Sequence, residues 1–529
     1  NRLPLSASSR RSSQVSSAAF NSFMAWGDFA KAGIATSSKG LPELNTQSGF
    51  RRTLSLNLSL LTDLYQLTML CGYYSHDKLD QQSCFDLYFR RLPFSGGFCL
   101  AGGLEPALEW VESLKFEEPQ LDYLNSLSLF PPEFLEWLRD FRFTGDISAL
   151  PEGTLVFPGE PILRIQAPLP QAQLIESALL NLINFHPLVA TKAARVRLAA
   201  GEGVVLEFGL RRAQGINGAL AATRAAVLGG CQATSNVQAG FLFDVPVKGT
   251  HAHSWIMSFD SELEAFRAYA ETYPDSCTLL VDTYDTLKSG VPNAITVGKE
   301  LAAKGYTLAG IRLDSGDLAH LSRESRRMLD EAGLREARIV ASNDLDEHSI
   351  SELKSQGARI DIWGVGTNLV TCKDEPALGG VYKLVAASDS QGEITPRIKV
   401  SSNPIKTTIP GVKQVYRAYN GERAVGDVMA LEAEQLEAGS RQISTTHALT
   451  GKERTLPFTR LEPLLVPVVS GGKRLAIPET LKRCAQRAGE SLLSLGDEHK
   501  RIEQPAPYWV GLSDRLYALR ESLVTQAKG

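Results

Sequence analysis

The sequence predicts an α/β fold with repeated strand–helix units in the middle of the chain. Two observations carry this expectation. After His186-Pro187, short apolar runs alternate with amphipathic helical stretches, the pattern of parallel βα units. Polar residues then recur at the C-terminal ends of the runs (Glu207, Asp282, Arg312, Asp314, Asn343 and Thr367), and in parallel α/β folds that edge carries the active site. Units of this length build either a barrel or an open doubly wound sheet.

A chain of 529 residues exceeds what one hydrophobic core usually supports, so at least two domains are expected. A hydrophobic fraction of 43%, a charged fraction of 22% and a formal net charge of -4 give no electrostatic bias toward nucleic acid. An anionic ligand must be held by local groups. No apolar run approaches the roughly 20 residues needed to cross a bilayer, so no membrane partner is expected. The seven cysteines are odd in number and scattered, without a CxxC pair, and read as reduced thiols of an intracellular protein.

Taken in order, residues 1–57 are rich in Ser and Arg, with Asp28 and Glu43 the only acids. This composition resembles an organellar transit peptide, and an incomplete or over-extended N-terminus with Met24 as a start is an equal alternative. The expected location is cytoplasmic, or a plastid or mitochondrion if the segment is a transit peptide. An α+β domain follows over 58–185: a helix begins near Leu60 with Thr62 or Asp63 as its cap, and Ser83–Arg91 alternates as a strand. The βα region spans 186–384, with strands expected at 204–208, 278–282, 308–314, 338–343 and 360–366 and helices at 295–304 and 318–332. Beyond it, 385–529 is mixed and strand-like, then helical from about Glu479.

Four groups are candidates for chemistry. Gly249-Thr250-His251-Ala252-His253 is a histidine-bearing turn; the bland alternative is one packed and one solvated imidazole. In Arg312-Leu313-Asp314 the two charged residues are two apart on a strand and point the same way, which suits a carboxylate or phosphate and a ribose diol or a metal, or an ion pair inside the barrel. Gly364-Val365-Gly366-Thr367 is a strand end and turn able to present N–H groups to a phosphate. It lacks the third glycine of a dinucleotide site and the Lys of a P-loop. Arg212, just past the Glu207 strand, is the better pyrophosphate candidate of two basic clusters, the other being Lys192–Arg197; either can be a solvated helix face. Tyr65 can stack on a flat ligand or belong to the core.

These segments, with Phe89-Arg90-Arg91, Gly96-Gly97-Phe98, Ser235-Asn236-Val237 and Ser342-Asn343-Asp344, occur in an order that resembles the nicotinate phosphoribosyltransferase family from about Leu60 through Lys383. The resemblance implies an irregular α/β barrel of the type II phosphoribosyltransferases, with an α+β domain made from the N-terminal and C-terminal segments, and a homodimer with sites near its interface. It implies transfer of phosphoribose from 5-phosphoribosyl 1-diphosphate to nicotinate, with ATP as co-substrate and Mg2+ (or Mn2+) bridging the diphosphate, in NAD salvage. By position, His253 is the histidine that ATP phosphorylates. Tyr65 and Thr250 contact nicotinate, Arg312 receives its carboxylate, Asp314 and Asn343 lie near the ribose, and Gly364, Gly366 and Thr367 hold the 5-phosphate. His251 stands where an apolar residue is common, and only the resemblance chooses His253 over it. The competing readings are a nicotinamide or other pyridine phosphoribosyltransferase, and a phosphosugar-binding barrel without turnover.

Overall fold

A computed structural model describes residues 57–434, 436, 441–475 and 477–528. The expected targeting segment lies outside these residues, apart from Asn57. The first helix, α1, spans Leu64–Ser75. Asp63 occupies its N-cap position without capping it, because the carboxylate instead accepts a 2.6 Å hydrogen bond from the Ser177 hydroxyl.

A seven-stranded antiparallel sheet forms the first layer, in the order Ile394–Pro396, Gly380–Ser388, Gln82–Phe89, Leu163–Pro168, Asp146–Ala149, Val466–Ser470 and Lys473–Arg474. Strands from 380 onward and from 466 onward therefore enter a sheet begun by residues 82–168. Residue 384 lies within one of these strands, and residue 185 lies within the long helix α2, Glu176–Ala200, so continuous elements cross both inner borders expected from sequence. Pro187 sits inside α2, where His186-Pro187 reads from sequence as a break.

The remaining C-terminal strands build a third sheet of six, including Lys413–Asn420, Arg423–Leu431 and Val510–Leu512. A buried ion pair and a buried hydrogen bond fasten it to the first: Lys413 Nζ lies 2.8 Å from Asp86 Oδ2, and Arg164 donates to the Lys413 carbonyl at 2.8 Å. The C-terminal segment thus completes the first sheet with residues 466–474 and adds a sheet of its own.

The middle of the chain supplies six parallel strands: β1 Val204–Glu207, β2 Ala233–Thr234, β3 Thr278–Leu280, β4 Gly310–Leu313, β5 Arg338–Ala341 and β6 Ile362–Val365. Their spatial order is β2-β1-β6-β5-β4-β3. Val205, Leu279, Ile311, Ile339 and Val365 are fully buried, as parallel strands covered by helices on their outer face require. Five of the strands fall where the sequence predicts them. β2 has only two residues and follows Gly229-Gly230, so it leaves no apolar run to detect.

Among the described residues no ladder joins β2 to β3. The segment 246–251 fills that gap: Val247 bridges to Thr234 on the β2 side, and the His251 ring accepts the Leu280 amide on the β3 side. This irregular closure brings the histidine turn to the rim where β1 and β3–β6 end.

Candidate active site

Arg312 is the hub of the rim. It points into the barrel mouth from β4, where Leu280 and Val340 flank it on the neighbouring strands. Its Nε donates to Ser342 Oγ at 2.9 Å, one terminal nitrogen to Thr250 Oγ1 at 3.1 Å, and the other to Asp314 Oδ1 at 2.8 Å. Three of the five guanidinium N–H groups are thereby committed, which fixes the plane and leaves two for a ligand. The Phe208 ring lies beneath the guanidinium, with 5.9 Å between the central carbon and the ring centroid.

Asp314 is held as firmly. Ser342 donates to its Oδ1, and its backbone N–H donates to Asp282 Oδ2 at 2.7 Å. Ser315 Oγ donates to the same Asp282 oxygen at 2.7 Å, while Asp282 Oδ1 is buried without a hydrogen-bond partner. His253 stands over this carboxylate, its Nε2 3.8 Å from Asp314 Oδ2 and its Nδ1 3.1 Å from Thr283 Oγ1. Its side chain is 40% exposed, so the imidazole is open to a ligand.

The two histidines of the turn differ sharply. His251 is buried, its Nε2 accepts the Leu280 N–H at 3.2 Å, and the Tyr269 ring stands edge-on at 4.7 Å. Burial holds its pKa down to about 4, so at neutral pH it is an uncharged acceptor with its nitrogen in use. The bland expectation for the turn, one packed and one accessible imidazole, describes their environments, and the accessible one faces the carboxylate.

Other predicted residues divide into those near the cluster and those apart from it. Gly364 belongs to β6 itself, where a Cβ would lie 2.6 Å from the Phe208 ring, so it makes room for that ring and does not lie in the turn. Gly366 begins the turn, and a Cβ there would meet the Phe208 carbonyl at 3.1 Å; Thr367 follows at the start of a short helix. Asn343 is exposed, with φ of 102°, followed by Asp344 at 42°. Two successive non-glycine residues in this region mark a strained strand exit. Arg212 is exposed in a 3-10 turn after β1 and makes no ion pair among the described residues.

Glu207, Lys192 and Arg195 are structural. Glu207 is buried and accepts from Thr223 at 2.9 Å, from Thr234 at 2.5 Å and from the Gly209 amide, which pins β1 to β2. Lys192 and Arg195 are buried and clasp Glu347 at 2.8 and 2.7 Å, so this basic cluster is not a solvated face. Tyr65 is 48% exposed on α1, beside Ser177, Glu176 and Asp63. No hydrogen bond or ring contact among the described residues joins it to the Arg312 cluster.

Phe208, Thr283, Ser315 and Ser342 belong to the site without standing out in the sequence. Each lies within three residues of a strand's C-terminal end, and Ser342 and Ser315 neighbour residues that the strand-end rule selects.

The fold is that of the type II phosphoribosyltransferase barrel class. Three family profiles match in succession: the nicotinate phosphoribosyltransferase N-terminal domain at residues 60–184, the nicotinate phosphoribosyltransferase family at 204–420 and its C-terminal domain at 412–520. The chain belongs to the nicotinate phosphoribosyltransferase family. It is 46% identical to the nicotinate phosphoribosyltransferase of Bacillus subtilis, over 89% of this chain and 96% of that protein. It is 36% identical to that of Homo sapiens, over 88% of this chain and 96% of the relative. The crystal structure of human nicotinic acid phosphoribosyltransferase superposes with a TM-score of 0.77 at 34% identity, over 87% of this chain and 99% of that one. A Pyrococcus furiosus nicotinate-nucleotide pyrophosphorylase structure shares the fold, with a TM-score of 0.61 at 21% identity over 81% of this chain and 94% of that one.

Proposed function

We propose that the protein joins nicotinate to 5-phosphoribosyl 1-diphosphate, giving nicotinate mononucleotide and diphosphate in NAD salvage, with ATP hydrolysis coupled through His253. The observation that carries the substrate assignment is Arg312, whose guanidinium is fixed by Ser342, Thr250 and Asp314 with two N–H groups to spare above the Phe208 ring. A flat ring with one carboxylate suits that arrangement: the carboxylate takes the fork and the ring lies against Phe208.

The pyridine nitrogen attacks the anomeric carbon as its bond to the diphosphate oxygen breaks, and the electron pair leaves with the diphosphate. Oxocarbenium character at that carbon calls for fixed negative charge near the ribose and positive charge around the leaving group. Asp314 would serve the first role. Arg212, which makes no ion pair among the described residues, and the turn at Gly366-Thr367 would take phosphate groups. Phosphorylation of His253 by ATP would place a dianion beside Asp314 and reorganise the diphosphate site, a reading supported by the ring's exposure and its seat between Thr283 and Asp314.

No group of three or more His, Cys, Asp or Glu able to hold a metal ion exists among the described residues. The unpaired oxygen of Asp282 beside Asp314 fits a divalent ion held by one or two carboxylates and completed by substrate oxygens. Mg2+ (or Mn2+) bound there would neutralise charge on the departing diphosphate.

A homodimer would reconcile Tyr65 with a nicotinate contact. Leu61, Leu64, Tyr65 and Met69 are exposed on or just before α1, and pairing this face with a second copy would bring Tyr65 of one protomer to the rim of the other. The proposal is tested by assaying nicotinate mononucleotide formation with and without ATP, together with acid-labile phosphate on the protein. Loss of both with His253→Ala supports it; unchanged ATP stimulation in that variant rules out the coupling role.

A further inference from the structure

Residues 246–253 have a mechanical problem to solve. The segment crosses the gap between β2 and β3, contains Gly249, where an added Cβ would meet nothing within 4 Å, and carries three groups that must be fixed relative to β3 and β4. On its first side backbone bonds suffice: the Thr234 amide donates to the Pro246 carbonyl at 3.0 Å and the Lys248 amide to the Thr234 carbonyl at 2.9 Å. On the β3 side the attachment is made by side chains. The Val281 amide donates to the Arg312 carbonyl at 3.1 Å, inside the sheet, while the preceding Leu280 amide donates into the gap and finds His251 Nε2.

We infer that His251 is a positioning residue: its neutral ring takes the place of the missing β2–β3 ladder and fixes the turn so that Thr250 meets Arg312 and His253 meets Thr283 and Asp314. The inference rests on the phosphohistidine reading of His253. A ring that accepts through Nε2 must carry its proton on Nδ1, and Nδ1 has the Ala252 carbonyl 3.5 Å away, within the same turn. Tyr269 and Phe266 hold the ring edge-on and tilted at 4.7 and 6.3 Å between centroids. The groups on either side are the working ones: Thr250 Oγ1 accepts from Arg312, and His253 Nδ1 pairs with Thr283, two residues past Val281. Without the His251 bond, the hydrogen bonds that hold the turn on the β3 and β4 side are those of Thr250 with Arg312 and of His253 with Thr283.

Two substitutions in the full chain separate positioning from mere packing. His251→Phe keeps the ring against Tyr269 and removes the acceptor; His251→Gln places a carbonyl oxygen at the reach of Nε2 and keeps the acceptor. Phosphate incorporated from ATP per folded molecule is expected to fall about tenfold in His251→Phe, the change produced by losing one hydrogen bond of ordinary strength, and to return largely in His251→Gln. Phosphorylation in His251→Phe equal to wild type, or equal losses in both variants, overturns the inference. If wild type itself takes no phosphate, the phosphohistidine reading fails instead, which keeps the two outcomes apart. An independent measurement needs no variant: the imidazole 15N shifts of His251 in the wild-type protein are expected to report the Nδ1–H tautomer with Nε2 as acceptor. An Nε2–H tautomer would exclude the Leu280 bond.

Discussion

Replacing Arg312 by Ala removes the group to which the substrate assignment is anchored. The guanidinium is 15% exposed and spends three N–H groups on Ser342, Thr250 and Asp314. A hydrogen bond to a charged partner contributes about 1.5 to 3 kcal/mol when its alternative is an unpaired group, so loss of the nicotinate carboxylate contact should lower kcat/KM for nicotinate roughly 10- to 150-fold. Because the bond forms on binding and persists through transfer, most of the loss should appear in KM. Arg312→Lys should recover only part of it: the charge remains, but the planar fork held by three acceptors does not. Initial rates at varied nicotinate and at varied 5-phosphoribosyl 1-diphosphate give the test. Nicotinate kinetics unchanged in Arg312→Ala, or a loss confined to the KM of the phosphosugar, would refute the carboxylate assignment.

Three further outcomes follow from the same geometry. His253→Ala should abolish acid-labile phosphate and ATP stimulation, as read by phosphate release from ATP and by product formed at limiting nicotinate. If Tyr65 serves the neighbouring protomer's site, mixing refolded Tyr65→Ala and Arg312→Ala chains should raise turnover at limiting nicotinate above that of either variant alone, since a mixed dimer contains one intact site; no recovery by mixing would contradict a shared site. Burial holds His186 and His251 down to about 4, against roughly 6.5 in an unfolded chain. The unfolded state therefore binds more protons between those values, so this contribution to stability is full above pH 6.5 and is lost as pH falls toward 4. For the fully buried His186 it amounts to roughly 3 kcal/mol. Urea unfolding from pH 7.5 to 4.5 should show the decline, and a flat profile would contradict it.

The barrel was legible because parallel strands buried on both faces leave apolar runs of fixed length, and their polar ends then stand out. Arg312 and Asp314 were found by that contrast. The same contrast also selected Glu207, whose carboxylate is consumed by Thr223, Thr234 and the Gly209 amide, because a strand-end acid that pins two strands looks in sequence like one that meets a ligand. Lys192 and Arg195 escaped for a related reason: their partner Glu347 lies more than 150 residues away, so a buried triad reads as a run of surface charge. The entry of residues 380–388 and 466–470 into the first sheet depends on pairings about twice as far apart in the chain, such as Ser83 with Ala387 and Ala149 with Val466, which no local pattern records. The barrel closure by His251 was hidden because a single side chain bonding to a backbone amide has no period.

The most direct test of the account is product formation by the wild-type chain with nicotinate, nicotinamide or quinolinate as the acceptor, each with 5-phosphoribosyl 1-diphosphate and with or without ATP. Arg312 with its two free N–H groups predicts rapid formation of nicotinate mononucleotide, accelerated by ATP, and little turnover of the neutral amide. Preferential use of nicotinamide or quinolinate, or binding of all three without release of diphosphate, would contradict it.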